Sequence, residues 1–522
     1  MDAATRVRKR LVAGAAAIAI VGAMLAGCSA PSEDGGTADE RHAVTFGLDR
    51  APYSMDPYRA ALGGAFMAYL DPVYDTLVRM EPDGTFTPGL AEEWEYVTPR
   101  EFRMTLREGL TFHKSGNPLD AEAVKANLDR LLTVTGPMTS ELANDYESTD
   151  VIDERTVTVN LSGPNPDLER IFSQVLGMMV DPAAFDDPDA LALAPAGAGP
   201  YVLDEARTVP DDTYVYTRTE GYWDEEAFPF DDLTLRVYTD RNAMLSALES
   251  GVATIGYGSP DNVDAAEGFG LEVASLPVNV MTLVLTDRER PESPLSNEKL
   301  RQAINYAVDR EAILETVYRG QGVTTTQLFL EGPGTGFDAE LDENFAYDPK
   351  RARELVEEAG FGDGVTITTG VPIAARDTVL AEAISSYLAE VGITLEIVAL
   401  PPGTYGVEGW KPYNSITGSF APQGAFADTK LIGLPGNSGF NAYNSQDATV
   451  DALWLEGAEA ETVEERQAAF VELSERLQEL SWYVPLVRLN AIALYDADKV
   501  GNVYLPPGIS TPRVRGWTIP GE

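Results

Sequence analysis

The stretch from Thr85 to Leu132 places the tightest limits on how this chain can fold. Residues 102–106 alternate apolar and polar side chains, the period-2 pattern of a half-buried strand. Gly109 then turns the chain into a second short predicted strand at 110–112. Asp120 stands at an N-cap position, before an apolar stripe with helical spacing. The stretch therefore predicts two strands followed by a capped helix.

This run of residues resembles the beginning of the family 5 extracellular solute-binding proteins of ABC importers. That group includes oligopeptide-, dipeptide- and nickel-binding proteins. The matching residues are Pro88, Leu90, Ala91, Trp94, Leu106, Arg107, Gly109, Phe112, His113 and Asp120. Two departures occur: Lys114-Ser115-Gly116 replaces the usual acidic-Gly pair, and Pro118-Leu119 follows at a shifted spacing. A second signature of the family is similar to Leu300–Glu311, and the family region is expected at about 85–440.

The resemblance implies an α/β fold with two lobes, of the type II-like periplasmic-binding-protein kind, with a ligand cleft between the lobes. Lobe I is expected to contain residues 44–286 and 488–522, with an extra small subdomain at about 81–185. Lobe II is expected to contain residues 287–487.

Hydrophobic periodicity predicts further elements in both lobes. In lobe II, a strand at 365–369, a helix at 377–391 and a strand at 393–400 have the spacing of a βαβ unit. This lobe is therefore expected to contain a largely parallel sheet. In lobe I, residues 168–179 are expected to form one helix.

The amino-terminal residues have the pattern of a targeting segment. Basic residues within 6–10 precede an apolar run from Leu11 to Leu25, which is too short to span a bilayer comfortably. Leu25-Ala26-Gly27-Cys28 resembles a bacterial lipobox, which implies a signal peptide at 1–27 and lipidation of Cys28. Residues 28–43 are mostly small, polar and acidic, a composition typical of a flexible tether. We therefore expect a protein held by lipid at the outer face of the cell membrane.

The charge of the chain excludes one class of partner. It contains 83 acidic and 38 basic residues, a formal net charge of -45. A surface this acidic repels phosphates, so no nucleic-acid partner is expected. The only cysteine is Cys28, which excludes a disulfide within the chain.

The sequence is poor in the groups that enzymes need. Its two histidines are His42 in the tether and His113 in the first family signature, where a structural role is expected. No motif for a catalytic triad or a transition-metal site is present, so we expect no catalytic residue, no metal and no cofactor. Paired carboxylates for glycoside chemistry stay possible, because so many acids are available.

The ligand cleft is expected where the periodicity breaks, between Leu400 and Tyr443. This region is rich in glycine, proline, aromatic and amide side chains, a usual lining for a small-molecule site. The predicted ligand-binding residues are Tyr53, Met55, Trp410, Phe420, Asp428, Asn441 and Tyr443. Peptide-binding relatives anchor the α-amino group of the peptide with the Asp of an Asp-Pro pair. The nearest match is Asp428-Thr429, so either Asp428 is that anchor or the ligand lacks an amine.

The resemblance thus implies a monomeric substrate-binding protein of an ABC importer. It would capture a peptide or other small solute by lobe closure and deliver it to the permease subunits. A sugar, an opine or a metal chelate stays open as ligand, although nickel is disfavoured because no histidine lies in the cleft region. Two alternatives stay open: a secreted lipoprotein hydrolase such as a glycosidase, and a protein of the same fold that is not coupled to import.

Overall fold

This computed structural model describes residues 42–60, 66–372, 375–401, 404, 406–436 and 439–521. They belong to one compact unit, Arg41–Glu522. The predicted signal peptide and Cys28 lie outside the described residues, as does nearly all of the tether. Within the described part of the chain, no helix is both long enough and apolar enough to cross a bilayer.

The described residues form seventeen strands and fifteen α-helices. The strands are β1 (Ala43–Leu48), β2 (Val78–Met80), β3 (Phe86–Pro88), β4 (Ala91–Thr98), β5 (Glu101–Leu106), β6 (Tyr146–Val151), β7 (Thr156–Leu161), β8 (Tyr201–Leu203), β9 (Thr213–Arg218), β10 (Asp232–Val237), β11 (Ile255–Tyr257), β12 (Glu272–Val284), β13 (Gly322–Thr324), β14 (Val365–Val371), β15 (Ile393–Ala399), β16 (Ser415–Phe420) and β17 (Tyr483–Tyr495). The helices are α1 (Phe66–Leu70), α2 (Ala121–Asp129), α3 (Ser140–Ala143), α4 (Leu168–Phe172), α5 (Pro188–Leu191), α6 (Arg241–Glu249), α7 (Val263–Gly268), α8 (Glu298–Ala307), α9 (Arg310–Tyr318), α10 (Pro349–Glu358), α11 (Ala375–Glu390), α12 (Gly406–Trp410), α13 (Ala425–Ile432), α14 (Ala448–Glu459) and α15 (Val463–Leu480). Helices and strands alternate through most of the chain, which confirms the predicted α/β class.

One large mixed sheet runs through the protein, in the order β15-β14-β16-β12-β17-β11-β1-β10-β9-β8, with β13 also paired to β17. Its two central strands, β12 and β17, have 13 residues each and pair antiparallel along their length. One end of this pair adjoins β11 in lobe I, and the other adjoins β16 and β13 in lobe II. The two long strands therefore carry the chain between the two parts of the sheet.

The ladder between β12 and β17 is irregular near its middle. Its register shifts between Pro277 and Asn279 and again between Met281 and Thr282. Proline has no N–H to donate to a ladder, so a shift beside Pro277 is expected on physical grounds. Regular pairing is weakest where the chain passes from one lobe to the other.

A separate antiparallel sheet in lobe I has the order β4-β5-β7-β6. Phe102, Met104 and Leu106 of β5 are fully buried, and α2 packs against this sheet. Asp120 caps α2 as predicted, because its side chain accepts the N–H of Ala123 at 3.0 Å.

The apolar core is divided along the chain. One cluster includes Phe46, Phe102 and Phe172 and extends to Trp517, whose ring lies 5.9 Å from that of Phe46. Two further clusters lie between residues 280 and 487. The carboxyl end thus packs on the first core, while the helices from α8 to α15 build the others.

Several local predictions are confirmed by the backbone. The βαβ unit is present, because β14 and β15 pair in parallel across α11. Asp309 caps α9 through the N–H of Ala312, and Thr462 and Glu465 form a reciprocal capping box at α15.

Three expectations are wrong. The lobe II sheet is parallel only across β15, β14 and β16, because β12 enters from lobe I antiparallel to β16. The strand expected at 110–112 reduces to one bridge between Thr111 and Pro118, because the chain turns back within a few residues. The helix expected at 168–179 stops at Phe172, and a 3-10 turn follows at Val175–Gly177.

Candidate functional site

A candidate cleft lies between segments of the two lobes expected from the sequence. Lobe I contributes the β2–β3 hairpin, residues around α4, and the turn at Pro507 and Gly508; lobe II contributes the loop 330–335, the turn 422–425 and Arg466. The space between them has a volume of about 820 Å³, part of it open to solvent. About 120 Å³ of this space is available to water-sized molecules. Clefts whose walls come from two parts of a fold are common places for small ligands to bind.

The lobe I wall is organised around Arg170 on α4. Its guanidinium donates to Oε2 of Glu141 at 3.2 Å and to Oδ2 of Asp167 at 3.3 Å. The side chain is only 10% exposed. Burial raises the pKa of Glu141, and the Arg170 charge opposes that rise. The wall is therefore a packed cluster of one cation and two carboxylates, held within lobe I.

The same guanidinium reaches across the cleft. Its Nη1 donates to Oε1 of Gln423 at 3.0 Å, and Nε2 of Gln174 approaches the same oxygen at 3.5 Å. Gln423 belongs to lobe II, so one amide oxygen receives two donors from the opposite lobe.

The lobe II wall is a tight turn between β16 and α13. Gly424 has φ of 126°, a conformation that side chains with a Cβ rarely adopt. The carboxylate of Asp428 accepts the N–H groups of Gln423 and Gly424 at 2.9 and 3.1 Å. Asp428 is 1% exposed, and this burial raises its pKa to about 8 although the two N–H groups act to lower it. The turn is thus fixed from behind by a buried carboxyl group.

Arg466 completes the lobe II wall. It lies one turn after the capping box of α15, and its Nη1 donates to the carbonyl of Pro166 in lobe I at 3.3 Å. Its aliphatic part lies against Gly334, where an added Cβ would come within 3.3 Å of Cδ of Arg466. Its Nε is buried and has no hydrogen-bond acceptor among the described residues.

Ion pairs also connect the lobes outside the cavity, among them Lys430–Asp145, Arg100–Glu459 and Arg319–Asp261. Lys430 on α13 pairs with Asp145 at 2.5 Å, and both side chains are partly buried. Arg100 and Glu459 are 3.9 Å apart and half exposed. The two lobes are therefore in direct contact in this structure.

The two predicted lobe I residues differ in their surroundings. Tyr53 is 76% exposed, and its ring packs on Phe66 with centroids 4.7 Å apart. Met55 is buried in the lobe I core, and its carbonyl accepts the hydroxyl of Tyr74 at 2.9 Å. Neither residue lines the 820 Å³ cleft.

Trp410 and Tyr443 lie in one polar and aromatic region of lobe II. The ring of Trp410 meets Phe440 edge-on at 5.0 Å, and its indole N–H is buried without an acceptor among the described residues. The Tyr443 hydroxyl donates to the carbonyl of Lys411 at 2.8 Å. Neither lines the cleft described above.

Asn441 is fully buried close to these residues. Its Oδ1 accepts from Arg288 at 2.9 Å and from the N–H of Ser445 at 2.8 Å, and its amide donates to Leu434 and Ser445 carbonyls. The backbone of Phe420 pairs with Val280 in the sheet. The structure thus gathers three of the seven predicted residues, Trp410, Asn441 and Tyr443, and leaves Tyr53 and Met55 elsewhere. The assignment of all seven residues as ligand contacts stays a prediction.

The sequence analysis missed Arg170 and Arg466, and it placed Gln423 in the predicted cleft region without choosing it as a ligand contact. The local signals were the Pro-Gln-Gly sequence at 422–424 and a glycine-rich loop at 332–336. Such signals mark turns in general and do not identify a cleft.

The described residues offer no cluster of three or more His, Cys, Asp or Glu side chains that could hold a metal ion. His113 is mostly buried in lobe I, which lowers its pKa, and its ring lies 6.4 Å from that of Tyr222.

Known proteins resemble this chain over much of its length. Residues 85–441 match the family described as bacterial extracellular solute-binding proteins, family 5. The glutathione-binding protein GsiB of Salmonella paratyphi A is 29% identical over 315 residues, which is 59% of this chain and 59% of that protein. The chain thus matches about three fifths of the length of this relative.

Solved structures share the fold over nearly the whole chain. NikA from Brucella suis, solved with Fe(III)-EDTA, has a TM-score of 0.78 at 24% identity and covers 91% of this chain and 99% of its own. DppA from Helicobacter pylori, solved with the peptide STSA, has a TM-score of 0.75 at 19% identity and covers 92% and 98%. The fold is therefore the type II-like fold of periplasmic binding proteins, as predicted. With more than half of its residues matched, this chain belongs to the family 5 bacterial extracellular solute-binding proteins.

Proposed function

We propose that this protein is the lipid-anchored substrate-binding component of an ABC importer, and that it captures a peptide or other small solute between its two lobes. The observation that carries the proposal is the 820 Å³ cleft, whose walls come from both lobes of a chain of this family. The names of similar proteins support a small polar ligand, since they refer to glutathione, a tetrapeptide and a metal chelate.

The mechanism that fits this geometry is lobe closure. Lobe I (44–286 and 488–522) and lobe II (287–487) are joined by β12 and β17, whose pairing is irregular beside Pro277. Bending at these strands would separate Arg170 from Gln423 and open the cleft to solvent. A solute that contacts both walls stabilises the closed arrangement, because it binds that arrangement better than the open one. The closed monomer then presents one surface to the permease.

The membrane anchor is proposed from the lipobox at Leu25–Cys28. Cys28→Ser removes the lipidated thiol and should move the protein from the membrane fraction to the soluble fraction. Equal fractionation of the variant and the wild type would contradict the anchor and would leave the binding role standing.

Solute capture is tested by native mass spectrometry of the purified protein, followed by calorimetry with the co-purified solute or with short peptides. A stoichiometric small solute of one class is the expected result. Uptake in cells that lack the gene should fall for that solute and recover when the gene is restored. Normal uptake without the gene would contradict a role in import.

The predicted ligand residues give a finer test. If Asp428 anchors a peptide amine, Asp428→Ala should weaken peptide binding by roughly 2–5 kcal/mol. For a sugar-like ligand, Trp410→Ala should have the larger effect, through loss of stacking area. Unchanged affinity in both variants would show that the solute contacts other residues.

A further inference from the structure

Two side-chain donors of lobe I share one acceptor of lobe II at the inner surface of the cleft. Nη1 of Arg170 and Nε2 of Gln174 converge from lobe I on one oxygen, Oε1 of Gln423. The carboxylates beside them are already engaged: Asp167 accepts from Arg170, and Glu169 accepts the indole N–H of Trp94 at 2.7 Å. An acceptor brought by a solute would therefore find donors on this wall.

Two further N–H donors of the lining have no acceptor within the part of the chain that the structure describes. Nε of Arg170 and Nε of Arg466 are both buried, and neither has a hydrogen-bond partner among the described residues. A buried N–H without an acceptor is costly, and native proteins rarely leave one without a functional reason or a bound molecule. The two orphaned groups belong to residues that line the cleft from opposite lobes.

The two arginines differ in whether a carboxylate balances their charge. Arg170 lies between Glu141 and Asp167, so lobe I supplies its own counter-charge. Arg466 forms no ion pair with any carboxylate in the part of the chain that the structure describes, and its one hydrogen bond goes to the carbonyl of Pro166. Among the other acids of the lining, Asp83 and Glu331 are exposed to solvent. The cleft thus contains a guanidinium that lacks a counter-ion.

We infer that the solute carries a carboxylate, and that this carboxylate binds between Arg466 of lobe II and Arg170 of lobe I. A carboxylate offers two acceptor oxygens in the geometry that guanidinium groups recognise. In the arrangement of this structure, the amide oxygen of Gln423 accepts from Arg170 at this position. The inference rests on the proposed function, and it narrows the solute to the class of carboxylates.

The roles of the two arginines are different. Arg466 provides the uncompensated charge, and Arg170 provides directed donors from a cluster that is already assembled. Since the two come from different lobes, a bridging carboxylate would favour closure directly.

The test compares free acids with their amides. One pool contains tripeptides with free carboxyl termini, and the matched pool contains the same tripeptides as carboxyl-terminal amides. A second pair contains succinate and succinamide, which separates a peptide from a simple organic acid as the source of the carboxylate. Calorimetry and thermal shift are measured on the whole protein at constant ionic strength.

The wild type should bind at least one free acid ten-fold or more tightly than its amide. Arg466→Gln should reduce binding of that acid at least ten-fold and abolish the preference over the amide. Arg466→Lys should recover part of the binding, because it restores the charge without the fork of donors. Arg100→Gln, which removes another arginine that connects the lobes outside the cavity, should leave both binding and preference unchanged.

Three results would overturn the inference. They are equal binding of acids and amides by the wild type, no response to any carboxylate probe, and an unchanged preference in Arg466→Gln. A co-purified solute without a carboxylate would also overturn it, while supporting solute capture in general. The failure of capture is recognised separately, by the absence of any bound solute in native mass spectrometry and in calorimetry.

Discussion

Arg170 in the lobe I wall is surrounded by its own counter-charges, whereas Arg466 in the lobe II wall has only a carbonyl oxygen of the other lobe. Both guanidiniums line the same cleft, and both have a buried Nε without an acceptor among the described residues. Arg170 is part of the lobe I fold, since Glu141 and Asp167 would be left unpaired without it. Arg466 contributes to a contact that exists only while the lobes are together.

The difference indicates that the two walls have different tasks. The lobe I wall is assembled before the solute arrives, and preassembled groups bind without a further cost of ordering. The lobe II wall is completed on closure, so its contacts couple solute binding to lobe movement. Substitution of Arg170 should therefore change mainly stability, and substitution of Arg466 should change mainly closure and affinity.

The largest effect is expected when Arg170 is removed. Arg170→Met leaves two mostly buried carboxylates unpaired and should lower the free energy of unfolding by about 3–5 kcal/mol. Arg466→Met is the matched substitution in the other wall and should cost about 1 kcal/mol or less, because no buried carboxylate depends on it. Urea unfolding of both variants measures the contrast. Equal losses would contradict the proposed division between the walls.

The next effect concerns the buried carboxyl group behind the lobe II turn. The pKa of Asp428 is raised to about 8 in the folded protein, so folding favours its protonated form. The stability that it contributes is complete below its ordinary pKa and is lost as pH rises through the folded value. Between pH 5 and 8 this loss is at most about 4 kcal/mol, from about 1.4 kcal/mol per pH unit.

Asp428→Asn should remove this part of the pH dependence, because an amide resembles the protonated carboxyl group in shape and does not ionise. Urea unfolding at pH 5, 6, 7 and 8 should give a flatter profile for the variant than for the wild type. Parallel profiles would show that Asp428 titrates normally and that the turn is less enclosed than described.

A smaller effect is expected from the ion pair between Lys430 and Asp145. Lys430→Met removes a partly buried contact between the lobes and should favour the open arrangement by about 1 kcal/mol, which is about a five-fold loss of affinity. Lys299→Met is a suitable control, because Lys299 pairs with Glu358 within lobe II. Calorimetry with one established solute measures the affinity of both variants. If both variants lose the same affinity, the Lys430 pair has no special role in closure.

The smallest effect is expected at the exposed pair of Arg100 and Glu459. Arg100→Gln should change the free energy of unfolding by less than about 0.5 kcal/mol, since exposed ion pairs contribute little. Its dependence on salt should also be weak, because the two groups are 3.9 Å apart and half exposed. A loss above 1 kcal/mol would indicate that contact between the lobes is stronger than burial suggests.

Local features of the fold could be predicted from the sequence. The caps at Asp120, Asp309 and Thr462 were predictable because an N-cap depends on residues within one helical turn. The βαβ unit in lobe II was predictable from its periodicity and spacing. The family was accessible because its first signature lies in the continuous stretch between Pro88 and Asp120.

The cleft was harder to predict from the sequence, because its contacts join distant parts of the chain. Arg170 and Gln423 are separated by 253 positions, and Arg466 and Pro166 by 300. The hydrophobic periodicity of a sequence gives no information about such a pairing. The prediction of a largely parallel sheet in lobe II was wrong for the same reason. The direction of β12 relative to β16 depends on the lobe from which β12 enters. Asn441 was chosen as an amide in an aromatic loop, and its buried partner Arg288 is 153 positions away.

The central claim is that a solute closes the two lobes on each other. Solution scattering measures this directly, by comparing the radius of gyration of the solute-free protein with that of the protein saturated by a solute whose binding calorimetry has established. We predict a smaller radius with the solute, and a weaker change in Arg466→Gln at the same solute concentration. An identical radius with and without a bound solute would contradict the account.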